Sequence, residues 1–330
     1  LQKGVVWPSP RFAAVSSGTG TVVTDSLTGL MWEADAGTPA FSSCTGGAKT
    51  WQAALDRMTC LNAGNYLGHN DWRLPNIREL RSLVNYGQDN TATWLNTQGF
   101  INVIPTTYWA STTNAGGTSM AWYVSMYNGS TSADTKTASY RVLAVRTGQD
   151  VATAEVAATG QLISYGTGPT DDGALRKGAA WPNPRFTVAS SGTGTFAGTV
   201  VTDNLTGLMW AGDAGIPTFG SCTGSYKLWQ GALDYVACLN AGNYLGHNDW
   251  RLPNLNELES LVNYERDSMS SWLNTQGFSN ARNAYYWSST TICPTCSLTI
   301  AWYVSMWSGN IYYTYKETDS RSVWPVRAGR

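Results

Sequence analysis

Residues 60–76 read CLNAGNYLGHNDWRLPN, and residues 238–254 read the same seventeen letters. Around this run the two halves of the chain stay in register at an offset of 178, so that Trp32, Cys44, Trp51, Trp94 and Trp109 answer to Trp210, Cys222, Trp229, Trp272 and Trp287. A solenoid unit spans about 20–50 residues, so this period is that of a whole globular domain. The chain encodes one fold twice. Its 330 residues give each copy enough length for a core of its own. The domains are read as residues 1–148 and 175–330, joined by a linker at 149–174 rich in Ala, Thr and Gly. Within that linker residues 161–165 (QLISY) read as a short strand, and the rest as tether.

Charge excludes several classes of partner. Residues 1–150 carry ten Lys and Arg against nine Asp and Glu, and the remainder eleven against thirteen, so neither half has the basic field that nucleic acid requires. Only 13% of residues are charged, while Trp and Tyr number sixteen and seventeen, a balance read here as that of a secreted or cell-surface bacterial protein. No apolar run approaches the ~18 residues of a membrane-spanning helix. The chain opens on Leu1 rather than Met, which is read as a processed start.

Six cysteines are present. Cys44 with Cys60, and Cys222 with Cys238, recur at one spacing in each copy, as paired bridges in an oxidising compartment would. Each closed loop would contribute roughly 3 kcal/mol in the chain-entropy account. Cys293 and Cys296, in CPTC, have no counterpart in the first copy. A small local disulfide is the first reading, with redox chemistry or a zinc site as alternatives, although His247 alone cannot complete a tetrahedral set.

Along each copy the periodicity changes once. Residues 1–12 and 175–186 (LQKGVVWPSPRF and LRKGAAWPNPRF) are too rich in Pro for a helix and predict an extended, turning path. TVVTD and GLMW follow as a hairpin. Trp51, Ala54, Leu55, Met58 and Leu61 then fall on one helical stripe, as do Trp229, Ala232, Leu233, Val236 and Leu239. The GNYLGHND stretch is a loop. Asn76 with Glu79, and Asn254 with Glu257, have the form of a capping box opening a second helix over 77–86 and 255–264. Strands are expected at 108–112, 120–126 and 140–146, and at 286–290, 300–306 and 321–327, with a turn at Tyr127, Asn128 and Gly129.

Taken together, TVVTDSLTGLMW, the WQAALD helix, NDWRLPNIREL, YWAST, AWYV and VLAVR resemble the DUF1566 family, known from the C-terminal domain of the Legionella collagen-like adhesin. TVVTDNLTGLMW, NDWRLPNLNEL, YWSST, AWYV and VWPVR repeat the resemblance in the second copy. It implies an α+β, C-type-lectin-like domain, two helices packed on a twisted antiparallel sheet, present as a tandem duplicate. RLPN before a helix is also similar to the RLPTEAEW signature of formylglycine-generating enzyme relatives, a distant branch of that fold.

Asp71, Trp72, Arg73, Asn76 and Glu79, with Asp249, Trp250, Arg251, Asn254 and Glu257, are read as a structural anchor, because an Arg beside an Asp before a helix usually ties a loop to the core. His69 and His247 are the only histidines and are candidate ligand contacts within loops. Trp307, Tyr312, Tyr313 and Tyr315 are candidate aromatic contacts for sugar rings. No catalytic triad, paired-carboxylate motif, phosphate loop or two-histidine zinc motif is present, and no enzymatic activity is expected. No cofactor is expected; calcium is left open without a motif to support it, since the EPN or QPD triplet of calcium-dependent lectins is absent too. The functional expectation is a secreted or surface-anchored adhesion protein that binds glycans or other surface polymers.

The alternative is a structural subunit that assembles head-to-tail with copies of itself into a filament or surface layer. Residues 149–174 precede the second copy only, so a place filled by QLISY there is expected to be empty in the first.

Overall fold

The computed structural model describes residues 5–148, 154–193, 197–292 and 298–329. The chain divides into two units, Leu1–Ala180 and Trp181–Arg330. The first contains β1 (Phe12–Ser17), β2 (Gly20–Asp25), β3 (Leu30–Glu33), α1 (Trp51–Ala63), α2 (Ile77–Ser82), α3 (Thr91–Asn96), β4 (Thr107–Thr113), β5 (Met120–Ser125), β6 (Thr131–Thr135), β7 (Val145–Thr147) and the short α4 (Asp172–Leu175). One antiparallel sheet has the order β1-β2-β3-β7. The other joins β4 to β5 and β5 to β6, with Trp109 opposite Tyr123 and Tyr123 opposite Ser132. The fold is α+β, and its sheets are antiparallel.

The helical stripe read from the sequence is the core of this unit. Trp51, Ala54, Leu55, Met58 and Leu61 are all buried against Trp72, Leu74, Trp109 and Val142. Burying a Leu- or Met-sized side chain is worth roughly 1.5–3 kcal/mol, so this seam dominates the unit's stability. Cys44 is bridged to Cys60 with Cα atoms 5.8 Å apart, which fixes the end of α1 to the preceding loop. The Pro-rich entry ends at Arg11, whose guanidinium donates to both oxygens of Asp25 at 2.9 and 2.7 Å and lies 4.3 Å from the Trp7 ring centre. Such a forked, buried pair fixes an orientation as well as a contact.

The residues read as an anchor pair with one another and with neighbouring backbone. Arg73 donates to both oxygens of Glu79 at 2.6 and 2.7 Å, and Glu79 closes the capping box with Asn76 at the start of α2. Asn62 holds Trp72 by its backbone N–H and C=O, and the Trp72 indole donates to Tyr66 O at 2.7 Å. Asp71 accepts from Arg146 at 2.6 Å on the surface.

Four expectations need correction. The second helix stops at Ser82 and Ser260 rather than running to 86 and 264. Asn85 and Asn263 instead accept from Gly87 and Glu265 N–H groups, local turns that compete with helix. The strand expected over 140–146 is only Val145–Thr147, and its counterpart only Val326–Ala328. Upstream of these, Tyr140 and Arg141 make isolated bridges, as do Arg321 and Ser322. Strand β6 and helix α3 were not anticipated from the sequence; α3 is opened by Asn90 accepting from Thr93 N–H at 3.0 Å.

The fourth correction concerns the linker. Residues 161–165 form no strand, and residues 154–178 lie on the first unit as a strap. Gln161 stands in for one rung of a sheet, its Nε2 donating to Thr113 O at 2.9 Å and its Oε1 accepting from Thr113 N–H at 3.0 Å. Asp172 accepts from Thr112 and Thr159 hydroxyls, each at 2.7 Å. Asp171 caps α4 and accepts from Tyr165 and Gly166 N–H groups at 2.6 and 3.0 Å. Gly173 is obligatory, since a Cβ there would sit 1.8 Å from Ile163 O.

The second unit repeats the first. It contains β8 (Phe186–Ser191), β9 (Gly198–Asp203), β10 (Leu208–Ala211), α5 (Trp229–Ala241), α6 (Leu255–Ser260), α7 (Met269–Thr275), β11 (Tyr285–Thr291), β12 (Ile300–Ser305), β13 (Ile311–Tyr315) and β14 (Val326–Ala328). Strand order is β14-β10-β9-β8 in one sheet, and β12 pairs with β11 and β13 in the other. Cys222 and Cys238 are bridged with Cα atoms 5.7 Å apart. Cys293 and Cys296 lie outside the described residues.

Candidate functional site: an aromatic cleft on the second unit

On an antiparallel sheet, directly opposed residues share a face and successive residues alternate. The register sets Trp287 opposite Tyr303 and Tyr303 opposite Tyr312, with Tyr285 opposite Ser305. These residues form one face, and the β12–β13 turn carries Trp307, Ser308 and Asn310 to its edge. Tyr285, Tyr303, Ser305, Trp307, Asn310 and Tyr312 line a cleft of about 260 Å³. Small-molecule sites run about 300–1,000 Å³, so the cleft has room for one ring of a larger ligand rather than an enclosed small molecule.

The aromatic run at 311–315 is therefore split. Tyr312 enters the cleft, whereas Tyr313 lies opposite Trp302 and packs edge-on against it at 5.1 Å, and Tyr315 lies opposite Ile300. Three tyrosines close in sequence do not make one site, because the strand repeat is two. Trp307, 61% exposed, stands at the open rim of this aromatic face.

Arg321 backs the cleft. Its guanidinium lies 4.9 Å from the ring centres of both Tyr285 and Tyr303, and Asp319 stands 3.8 Å from it. Burial pushes the Tyr303 hydroxyl above its ordinary pKa, opposed by Arg321. The phenol therefore stays protonated and able to donate. Flat aromatic faces beside hydroxyl and amide groups suit the apolar face and hydroxyl edge of a sugar. In the first unit Thr107, Ser132 and Tyr140 occupy the positions of Tyr285, Tyr312 and Arg321, so the cleft belongs to the second unit's own substitutions. The sequence reading found Trp307 and Tyr312 but missed Tyr285, Tyr303 and Arg321; departure from the first copy was the only signal for Tyr285 and Arg321, and Tyr303, which answers to Tyr123 in the shared AWYV, carried none.

The histidines lie elsewhere. His69 and His247 each place Nε2 at 3.3 Å from a serine hydroxyl, Ser17 and Ser191, and meet Trp72 and Trp250 edge-on at 5.9 and 5.8 Å. Burial, then Arg146, holds the His69 pKa below its ordinary value, against the pull of Asp71. Among the described residues no three His, Cys, Asp or Glu side chains gather where they could hold a metal ion. A second cavity, of about 380 Å³, lies in the first unit between Arg73, Glu79 and the strap residues Glu155 and Lys177. Arg73 and Glu79 already satisfy each other there, so the cavity presents no uncommitted charge from the anchor.

A family model described as the Lcl C-terminal domain matches residues 21–146 and again residues 199–327. The chain belongs to that family. The two matches are two tandem Lcl C-terminal domains, one in each unit. No curated protein matches the chain closely enough to add to that assignment. The cleft residues of the second Lcl C-terminal domain fall within its matched segment, whereas the strap at 154–178 lies outside both. No helix of the described residues is long and apolar enough to cross a membrane.

Proposed function

We propose that this protein is a secreted or cell-surface, non-enzymatic adhesion protein, and that the aromatic cleft of its second domain receives a ring of a glycan or other surface polymer. The observation that carries the reading is the convergence of Tyr285, Tyr303, Trp307 and Tyr312 on one open face beside Ser305 and Asn310. Two bridged cysteine pairs and membership of a surface-adhesin family are consistent with an extracellular setting. The element order, helices beside antiparallel sheets with a long loop region, supports reading each domain as C-type-lectin-like.

Support for a binding rather than a catalytic role comes from where the perturbed carboxyls lie. Glu33 and Asp172 are both pushed up to about 7 by complete burial, yet Glu33 sits in the first unit's core and Asp172 under its strap. Neither lies at the cleft. A glycan array probed with the whole chain tests the proposal. Saturable binding to a defined set of glycans, lost in Trp307→Ala, is the expected result; an array without binders, or binding indifferent to Trp307, would set it aside.

A further inference from the structure

The wall of the second domain's cleft offers hydrogen bonds and no charge. Among the described residues that line it there is no Lys, Arg, His, Asp or Glu. The hydroxyls of Tyr285, Tyr303 and Tyr312 make no hydrogen bond to other described residues, and neither does the Asn310 carboxamide. Ser305 Oγ accepts from the Ser308 N–H at 3.2 Å and from the Ser308 hydroxyl at 3.1 Å, which leaves its own hydrogen to donate. Uncommitted hydroxyl and amide groups both donate and accept, as the hydroxyls of a sugar do.

Arg321 is not part of this wall. The first domain shows what its position does. There Tyr140 forms the backbone bridge to Lys49 that Arg321 forms to Lys227, and the Tyr140 ring packs 4.5 Å from Trp109 and 5.3 Å from Tyr123. Trp109 and Tyr123 answer to Trp287 and Tyr303, and the Arg321 guanidinium lies 6.0 and 4.9 Å from those two ring centres. A planar guanidinium thus takes the place of a planar phenol among the same rings. Its charge is matched by Asp319 at 3.8 Å, closer than either tyrosine ring centre, and Asp319 is held in turn by the Thr314 hydroxyl.

An anion in the cleft would meet the electron-rich faces of tyrosine and tryptophan rings, with no cation on the wall to replace the water it gives up. We propose that the cleft selects an uncharged pyranose over its carboxylated or sulfated counterparts. The sugar stacks an apolar C–H face on the exposed Trp307 ring and sets its hydroxyls against Ser305, Asn310 and the phenols. Arg321 is a positioning residue, which holds Tyr285 and Tyr303 in place and does not contact the ligand's charge. This rests on the glycan reading of the cleft and adds the charge of the ligand to it.

The probes are neutral oligosaccharides of the glucose, mannose and galactose series, each arrayed beside the same backbone carrying a C6 carboxylate or sulfate and exposed to the full chain. A neutral member is expected to bind, and its acidic counterparts about tenfold more weakly or less still. Affinity for the neutral sugar should hold between about 50 and 500 mM NaCl, because salt screens only contacts between charges. Arg321→Tyr, which restores the first domain's residue, should keep both the affinity and its indifference to salt, whereas Arg321→Ala should lose about tenfold. Asp319→Asn leaves the guanidinium unmatched and should strengthen binding of the acidic counterparts at low salt alone. Acidic members that bind wild-type protein more tightly than neutral ones, with an affinity that falls as salt rises and that Arg321→Tyr abolishes, overturn the proposal. The glycan reading would survive that result as long as Trp307→Ala removes the binding. An array without binders overturns both.

Discussion

Arg57 Nη2 lies 3.9 Å from Glu33 Oε2 in the interior of the first domain, both side chains at most 1% exposed, and the second domain replaces the pair with Tyr235 and Ala211. The pair is imperfectly satisfied: Glu33 Oε1 accepts from Ala144 N–H at 2.7 Å, but Arg57 Nε and Nη2 have no hydrogen-bond partner among the described residues. Tyr235 instead donates its hydroxyl to Pro217 O at 2.6 Å. Breaking a buried pair typically costs about 3–5 kcal/mol, whereas exchanging it whole for a packed neutral set is often neutral or favourable. Glu33→Ala is expected to destabilise the first domain by an amount of that order, and Glu33→Ala with Arg57→Tyr to recover most of it. Urea unfolding of both variants checks this; a double variant as unstable as the single one would show that the exchange needs more of the second domain's surroundings.

Glu33 and Asp172 also set a pH dependence. Burial raises them from 4.5 and 3.8 to about 7, so between those limits the folded chain holds more protons than the unfolded one. Their stabilising contribution is complete at pH below 4 and is lost as pH rises through about 7. Asp249, held low first by its hydrogen bond to Arg327, acts in the opposite sense but below its ordinary 3.8, and His69 opposes them below its ordinary 6.5 as one partly exposed group against two buried ones. Thermal melts of the first domain's transition should move down between pH 5 and pH 8, and Asp172→Asn should flatten the curve. A transition that rises over that interval would contradict the sign.

The strap depends on Gly173, whose Cα approaches Ile163 O too closely for any side chain. Gly173→Ala is expected to lift the strap without unfolding α1. Hydrogen exchange should speed up at the Tyr165 and Gly166 N–H groups, which Asp171 now protects, while the Trp51–Ala63 amides keep theirs. Uniform loss of protection across the domain would mean that the strap is part of one cooperative core.

The cleft predicts a face preference. Tyr312→Ala removes a wall of the site and should weaken binding by about tenfold, on the order of 1.4 kcal/mol. Tyr315→Ala, three residues away on the opposite face, should leave affinity unchanged. Equal effects of the two, read by isothermal titration with an array-identified glycan, would place the ligand elsewhere.

Much of each domain was written locally. The α1 stripe, the capping box at Asn76 and Glu79, the hairpin of TVVTD and GLMW, and the cysteine spacing each follow from periodicity or from contacts a few residues apart, and the structure contains all four. The cleft was half visible. Trp307 and Tyr312 belong to an aromatic run, but Tyr285 and Arg321 reach the same face from strand pairing across tens of residues.

Duplication, α+β content and two bridged cysteine pairs were determined by the sequence alone, because repeats and short-range spacing are properties of the chain itself. Which of Tyr312, Tyr313 and Tyr315 meets the cleft was decided by register, since a shift of one residue would exchange the faces. Where residues 154–178 lie was decided by tertiary structure too. Their Ala, Thr and Gly composition reads as tether, and the strap is held by a few hydrogen bonds from Gln161, Asp171 and Asp172 to partners that only the folded domain brings within reach.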